Sequence, residues 1–431
     1  MLNKSQRIWK SKGSRLRTIA AVALMYVSCL FYFLFQGGKT SVMLFAMATV
    51  LLFYWIVVLF GGIRKVQGQR AIGDGSGVFF PAQSQLFITL RVTVPGFMPI
   101  PYIVVHDDLH RFGISYSTIE SAIALGAGRS AAITYRTPAL ARGYYEFVPT
   151  SCISRDLFGL FEQNGVLNAP STFYVTPSVV AIPRWTLAER QAGQGSHATS
   201  SVRRHRESSQ QNGVREYVYG DKLSRIHWNA TAKTGTLKTR QFDPESPSPI
   251  VLVLDCRASS YEGNKSGAEQ RFEVAVSAMA SLVQYGAQCQ RPTYVAAIGV
   301  RLVWWSAEQA QPGVASFQKW MSTVQLESAS TEDNEKLLVA LTEQASLLRG
   351  STLAFISGHT TSDVLLYTRT LSKFGCSGSF IHVKGHVSVE KSIEHNESRQ
   401  SLVHLLATQR LHYIPLIHAE ELPKLLGGGA V

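Results

Sequence analysis

Thiol and imidazole chemistry is the first possibility that this sequence raises. Cys152, Cys256, Cys289 and Cys376 supply nucleophiles, and His205, His227 and His359 supply bases, so a Cys-dependent hydrolase or a transglutaminase-like enzyme is one reading. Such chemistry needs a thiolate held beside an imidazole, and no Gly-x-Cys-Trp or G-x-S-x-G context surrounds any of these residues. With Cys29 the cysteines form an odd, scattered set lacking a C-x-x-C pair. That is neither a disulfide framework nor a zinc-ligand pattern, and it agrees with a reducing compartment. Buried or incidental thiols are the reading that these contexts favour. No G-x-x-x-x-G-K-[ST] occurs, which excludes nucleotide hydrolysis by that route.

A second chemistry lies between Arg203 and Arg240, where nine Lys or Arg stand against Glu207, Glu216 and Asp221, a net of 9 − 3 = +6. Tyr217, Tyr219 and Trp228 are interleaved and could stack on bases. The acids are interspersed, however, which ranks nucleic acid last among the readings. Arg203, Arg204 and Arg206 suit lipid phosphate if that loop lies near an anionic leaflet.

The elements that must position these residues begin with a membrane anchor. The chain has 431 residues and a formal charge of +13, and no acidic residue precedes Asp74, whereas ten Lys or Arg do. Thus 13 − 10 leaves +3 for the rest, and the body is nearly neutral. Two uncharged runs, Ile19–Phe35 and Val42–Phe60, each cross or nearly cross a hydrocarbon core of about 30 Å at about 1.5 Å per residue. Six basic residues precede the first run, and Arg64, Lys65 and Arg70 follow the second. The positive-inside rule therefore puts both termini in the cytoplasm. A second span follows too soon for a cleaved signal peptide. The expectation is a basic cytoplasmic tail over 1–17 and a transmembrane hairpin over 18–62.

Residues 75–180 carry short alternating runs divided by Gly and Pro, among them LFITLRVTV from Leu86, PYIVVHDDL from Pro101 and STFYVTP from Ser171, which read as a small antiparallel β-sandwich. Residues 181–213 are poor in apolar side chains and read as a polar linker or loop. After Pro249 strands and helices alternate, starting with the apolar run Ile250–Leu254 that ends at Asp255. The alternation argues for a doubly wound α/β sheet. In such a sheet a site lies beyond the carboxyl ends of the strands, at Asp255 and at the Ser357-Gly358-His359 turn.

Three stretches go further: Arg142–Phe147, Ser154–Phe161, and GVREYVYGDKLSRIHWNATAKTGTLKTRQF over 213–242. Together, after a two-span amino terminus, they resemble the bacterial domain-of-unknown-function family fifty-eight, from about Gly77 to the carboxyl end. The R-E-Y-x-x-G-D-x-x-x-x-I-H-W pattern is the most specific part. The resemblance implies an α+β multidomain protein of the bacterial cytoplasmic (inner) membrane. Its parts are a two-helix transmembrane hairpin, a small β-sandwich and a doubly wound α/β von Willebrand factor A-like domain over 214–431. It also implies an association with MoxR-type AAA+ ATPases. Domains of that type often hold Mg²⁺ through D-x-S-x-S after the first strand. Here that motif reads Asp255-Cys256-Arg257-Ala258-Ser259, and the later loop offers Ser357-Gly358-His359 with no acid. Asp255, Ser259 and Ser357 are thus degenerate metal positions. Arg257 repels a cation and pairs with Asp255 instead, so no cofactor is expected.

The residues of 213–242 have a reading of their own. Ile226, Trp228 and Ala230 alternate with Arg225, His227 and Asn229, which predicts an extended segment with one buried face. Gly220-Asp221 and Thr234-Gly235 turn the chain at either end. Arg215, Glu216, Tyr217, Gly220, Asp221, Arg225, His227 and Trp228 form either a docking surface for a cytoplasmic protein, an AAA+ ATPase by the resemblance, or an internal polar network. The functional expectation is a non-enzymatic membrane-anchored adaptor.

Overall fold

The computed structural model describes residues 4–59, 63–73, 77–96, 100, 102–126, 128–155, 162–192, 207–219, 221, 223–244, 248–261, 265–328, 339–340, 342–343, 350–359, 362–373, 377–384, 406–408 and 411–427. The chain forms two compact units, Met1–Ser178 and Val179–Val431.

The first unit opens with helices α1 (Lys4–Gln36) and α2 (Lys39–Leu59). Their apolar stretches, Ile19–Gln36 and Lys39–Val57, are long enough to cross a membrane. The two helices touch through aromatic rings, with Tyr26 and Phe33 at 5.6 and 5.2 Å from Phe45. Ten strands follow: β1 (Gln67–Ile72), β2 (Phe79–Pro81), β3 (Phe87–Thr93), β4 (Ile103–Arg111), β5 (Ile114–Ile123), β6 (Ser130–Arg136), β7 (Gly143–Phe147), β8 (Thr150–Arg155), β9 (Glu162–Leu167) and β10 (Thr172–Thr176). They make a three-stranded sheet, β1-β3-β6, and a seven-stranded sheet, β2-β10-β7-β4-β8-β9 with β5 paired to β4.

Alternation decides which face of each sheet is buried. Ile88, Leu90 and Val92 of β3 are fully buried while Phe87 between their turns is exposed. Leu90 and Val92 pack with Ile103 and Val105 of β4, and Ile88 packs with Leu109, Phe147 and Phe173 in a second cluster, so the two sheets pack face to face as a sandwich. β1 is a strand that sequence patterning passes over, because QGQRAI contains few apolar residues to alternate.

A buried polar network joins the two sheets. Arg70 of β1 donates from Nη2 to Asp107 Oδ1 of β4 at 2.6 Å and to Thr150 Oγ1 of β8 at 2.8 Å, and from Nη1 to the Ala169 carbonyl at 2.6 Å. Thr150 Oγ1 and the Tyr135 hydroxyl of β6 donate to the two oxygens of the same carboxylate. The guanidinium lies 3.9 Å from the centre of the Phe147 ring. Burial and the adjacent carboxylate push the Tyr135 phenol far above its ordinary range. Removing one partner of a buried pair leaves the other charge uncompensated, at a cost of about 3–5 kcal/mol, whereas replacing both by apolar residues costs far less. Asp107→Ala is therefore expected to lose about 3–5 kcal/mol. Arg70→Met combined with Asp107→Leu should recover most of it, as read from urea unfolding of the full chain in detergent.

The second unit contains α3 (Thr186–Ala192), β11 (Glu207–Glu216), α4 (Trp228–Thr234), β12 (Lys238–Pro244), β13 (Ile250–Asp255), α5 (Lys265–Gln288), β14 (Thr293–Ile298), β15 (Leu302–Trp305), α6 (Ala315–Thr323), β16 (Thr352–Ser357), α7 (Ser362–Lys373), β17 (Ser377–Val383), β18 (Leu411–Leu416) and α8 (Leu422–Leu426). Its main sheet has the order β15-β14-β13-β16-β17-β18, with all neighbours parallel except β15 on β14. Every residue of β13 and of β16 is buried. Ile250, Leu252 and Leu254 pack with Phe272, Val276 and Met279 of α5, while Val251 and Val253 pack on the other face with Tyr367 and Leu371 of α7. Helices on both faces make the sheet doubly wound, and a central strand covered twice is why Ile250–Leu254 is apolar without alternation.

One expectation fails. Residues 181–213 do not form an exposed linker throughout: Ile182, Trp185 and Ala188 are buried in the α/β core, and the Trp185 ring lies 6.0 Å from Tyr285 of α5. Arg291 holds this segment to the amino edge of the sheet, donating to the carbonyls of Ala188 and Ser248 and to Thr352 Oγ1. Three apolar residues spaced by three in a polar stretch are enough to pack a face, although average composition hides them. Further on, Glu207–Glu216 pairs antiparallel with β12.

Candidate functional site

The strand order places β13 and β16 side by side, with Leu254 opposite Ile356, and their connections leave in opposite directions. This is the switch point of the sheet, where side chains beyond the carboxyl ends converge. Asp255 closes β13 and Ser357 closes β16, and both are fully buried. The chain after Asp255 turns back in a short 3₁₀ segment, Ala258–Ser260, that returns its donors to the carboxylate. Asp255 Oδ1 accepts from Arg257 N at 3.1 Å and Arg257 Nε at 2.9 Å. Oδ2 accepts from Arg257 Nη2 at 3.0 Å and Ser260 Oγ at 2.5 Å, and Ser357 Oγ lies 3.0 Å away. Five donors thus face one carboxylate that has about four lone-pair directions.

The surrounding residues hold that geometry. Arg257 is 3 % exposed, with its guanidinium 5.2 Å from the centre of the Tyr367 ring. The Tyr261 hydroxyl donates to the Asp255 carbonyl at 3.0 Å, and burial next to Asp255 pushes that phenol well above its usual range. A side chain on Gly358 would collide with the Tyr261 ring and the Ser260 carbonyl, so glycine is required there. Next to it, His382 bridges Tyr413 Oη at 2.7 Å and the Gly358 carbonyl at 3.2 Å. A carbonyl only accepts, so the proton sits on Nε2 and Nδ1 accepts from Tyr413. Burial, reinforced by Lys384, lowers His382 to about 4.

The module over 213–242 is built differently from the extended segment that alternation predicts. After β11 the chain turns at Asp221, whose carboxylate accepts from Val218 N at 3.1 Å and pairs with Arg215 at 2.7 Å. The Arg215 guanidinium beside it holds the Asp221 carboxyl below the usual carboxylate range. Lys238 pairs with Glu216 at 3.0 Å, and the Tyr217 and Leu237 backbones are bonded across the hairpin. Ile226 is buried and bridges to Thr239. The extended run ends there, because His227 Nδ1 accepts from Ala230 N at 3.1 Å and caps α4. Gly235, at φ +68°, terminates that helix in the left-handed conformation that glycine adopts without strain. Trp228 consequently starts a helix and is 68 % exposed rather than buried. An Ala- and Lys-containing run closed by T-G is the helix signal that was available in the sequence.

Arg215, Glu216, Asp221 and Lys238 thus pair with one another, and several large apolar residues face solvent. Tyr219 is 99 % exposed, Leu223 70 %, Val218 59 % and Leu237 46 %. Arg225 is half-buried in the 3₁₀ turn Leu223–Arg225. Gly220, His205, Cys376 and the arginines at 203, 204 and 206 lie outside the described residues.

One comparison with known proteins falls on this module. The family model described as "Protein of unknown function DUF58" matches residues 213–298. That range runs from β11 through β14 and includes both the exposed module and Asp255. The chain is also similar to "Uncharacterized protein YeaD" of Bacillus subtilis (strain 168), with 26 % identity over 268 residues, which is 61 % of this chain. The match spans 63 % of that relative's length. Among solved structures, the CARDB domain of the PF1109 protein from Pyrococcus furiosus covers 26 % of this chain and 91 % of its own at 14 % identity and a TM-score of 0.19. Proximal thread matrix protein 1 from the mussel byssus covers 42 % of this chain and 43 % of its own at 13 % identity and a TM-score of 0.24.

Other sequence candidates fall apart in space or in chemistry. Cys152 is buried in the sandwich, where burial raises its thiol to about 11 and away from thiolate chemistry. Cys256 is buried next to Asp255, and Cys289 is exposed just after α5. Ser259 is exposed, and its neighbour Ser260 takes the place facing Asp255. Among the described residues no group of three or more His, Cys, Asp or Glu side chains is placed to hold a metal ion.

His382 gives the switch point a pH signature. Its folded pKa of about 4 lies below the ordinary 6.5, so the unfolded chain binds the extra proton first. The stability this group contributes is complete above pH about 6.5 and is lost as pH falls towards 4, by about 2–3 kcal/mol at pH 4.5. Urea unfolding at pH 7 and pH 4.5 should show that loss in the wild type, and His382→Gln should flatten it.

Proposed function

We propose that the chain is a membrane-anchored, non-enzymatic adaptor whose α/β unit, read as von Willebrand factor A-like, presents the 213–242 module to a cytoplasmic protein. The partner implied by the family resemblance is a MoxR-type AAA+ ATPase. The helices α1 and α2 are the anchor in this reading, with both termini on the cytoplasmic side of a bacterial inner membrane. A doubly wound sheet with helices on both faces is the architecture that the A-like reading calls for.

The observation that carries the proposal is the exposure of Tyr219, Leu223 and Trp228 on a module held by two internal ion pairs, Arg215–Asp221 and Lys238–Glu216. Scattered apolar residues are normal on a surface, but three large ones within ten positions of one capped, hydrogen-bonded turn form a preorganised contact surface. Tyr and Trp are also the residue types that dominate binding hot spots, with losses of about 2 kcal/mol or more on truncation.

The test is co-purification of the detergent-solubilised full chain with a MoxR-type AAA+ ATPase from the same organism. Tyr219→Ala combined with Trp228→Ala should weaken capture by at least about tenfold while leaving circular dichroism unchanged. Undiminished capture by the folded double variant would remove the docking role from this module.

A further inference from the structure

The residues around Asp255 do not fit a divalent cation. Hard cations such as Mg²⁺ take about six oxygen ligands, usually with more than one carboxylate or several waters. Here the carboxylate is fully buried, no second acid bonds to its partners among the described residues, and its acceptor directions are taken by Arg257, Ser260 and Ser357. Arg257 engages both oxygens, through Nε on one and Nη2 on the other, which is the two-point geometry that a guanidinium offers and an ammonium does not.

We infer that Arg257 is the resident cation of the switch point: its guanidinium occupies the position among Asp255, Ser260 and Ser357 that a divalent ion would otherwise take, and so holds the loop after β13 ordered without metal. Three observations carry this. The positive charge comes from the chain itself, two residues along from the carboxylate, and its own backbone N–H also donates to Asp255. The hydroxyls that complete the cluster come from two places, Ser260 in the same loop and Ser357 on the adjacent strand, so the pair draws β13 and β16 together at their carboxyl ends. The guanidinium is backed by the Tyr367 ring and is nearly inaccessible to solvent, so ions in solution cannot compete with it at ordinary concentrations. This inference is independent of the docking role of the 213–242 module.

It follows that Arg257→Ser exposes a set of oxygen donors, namely Asp255, Ser260, Ser357 and the new hydroxyl, to which Mg²⁺ or Mn²⁺ can bind. Hydrogen exchange of the full chain in detergent, read in peptides covering 250–261 and 352–359, gives a local measure. Wild-type protection should be the same in 10 mM MgCl₂, 10 mM MnCl₂ and EDTA. Arg257→Ser should exchange at least about tenfold faster in EDTA and recover much of its protection in Mg²⁺ or Mn²⁺. Arg257→Met, which brings no oxygen, should lose protection without recovery. Asp255→Asn combined with Arg257→Met, which removes both charges, should stay closer to wild type than either Arg257 variant and ignore metal. Metal-dependent protection of the wild type would overturn the inference. So would equal protection of folded Arg257→Ser with and without metal, or failure of that variant to fold even with Mn²⁺ while Arg257→Met folds.

Discussion

A carboxylate at the end of a strand buried on both faces must be neutralised from within the fold, and much of the second unit's geometry follows from how this is done. Asp255 is fully buried, and an isolated ionised carboxylate there would be costly by many kcal/mol. The compensating charge stands two residues later, which obliges the chain to reverse at once. The 3₁₀ turn Ala258–Ser260 makes that reversal and brings Ser260 back onto the carboxylate. The reversal in turn presses Tyr261 against residue 358, where only glycine fits. The Gly358 carbonyl then becomes the partner of His382, whose ring is fixed by Tyr413. A single pair thus propagates from β13 through β16 to β17 and β18, through contacts that are buried at Asp255 and half-buried at His382 and Tyr413.

What could be read from sequence depended on whether a residue's partner was local or distant. Ile250–Leu254 was legible as a twice-covered strand because nothing interrupts its apolar run, and with it the position of Asp255 at a strand end. The sandwich was legible from alternation in β3 and β4. β1 was not, since its contribution is a single buried Arg70 whose partners lie on β4 and β8. The packing of Ile182, Trp185 and Ala188 was hidden for a similar reason: composition averages over a window, whereas burial is decided residue by residue. At the switch point the Arg257–Asp255 pairing was legible from spacing. Which serine completes it was not, because a one-residue offset between Ser259 and Ser260 is set by the 3₁₀ turn. In the 213–242 module, alternation of Ile226, Trp228 and Ala230 suggested a strand, and the cap at His227 with the stop at Gly235 produced a helix instead.

The two units use the same chemistry for different ends. Arg70 with Asp107 and Arg257 with Asp255 are both buried arginine–carboxylate pairs completed by hydroxyls. The first crosses between sheets inside a sandwich, where bonds from both terminal nitrogens of Arg70 tie together two layers that apolar contacts alone would leave freer to slide. The second sits at the crevice where a doubly wound sheet ordinarily meets its ligands. There the same pair consumes the acceptors that a ligand or ion would have used.

That consumption bears on where the second unit can engage anything else. Lone pairs committed to Arg257, Ser260 and Ser357 are unavailable to a ligand unless the loop opens, and opening it separates a buried ion pair. The module that carries Tyr219, Leu223 and Trp228 is in the opposite condition. Its two ion pairs, Arg215–Asp221 and Lys238–Glu216, lie near the surface, where such pairs contribute little either way, and large apolar side chains remain in water. Each such side chain would release about 1.5–3 kcal/mol on full burial, and the cap, the left-handed stop and the hairpin bonds have already restricted the backbone that a partner would otherwise have to order. Unspent interaction free energy in this unit therefore lies at the module's surface rather than at the closed switch point, and this asymmetry is what makes a docking role the stronger reading than a ligand-binding one.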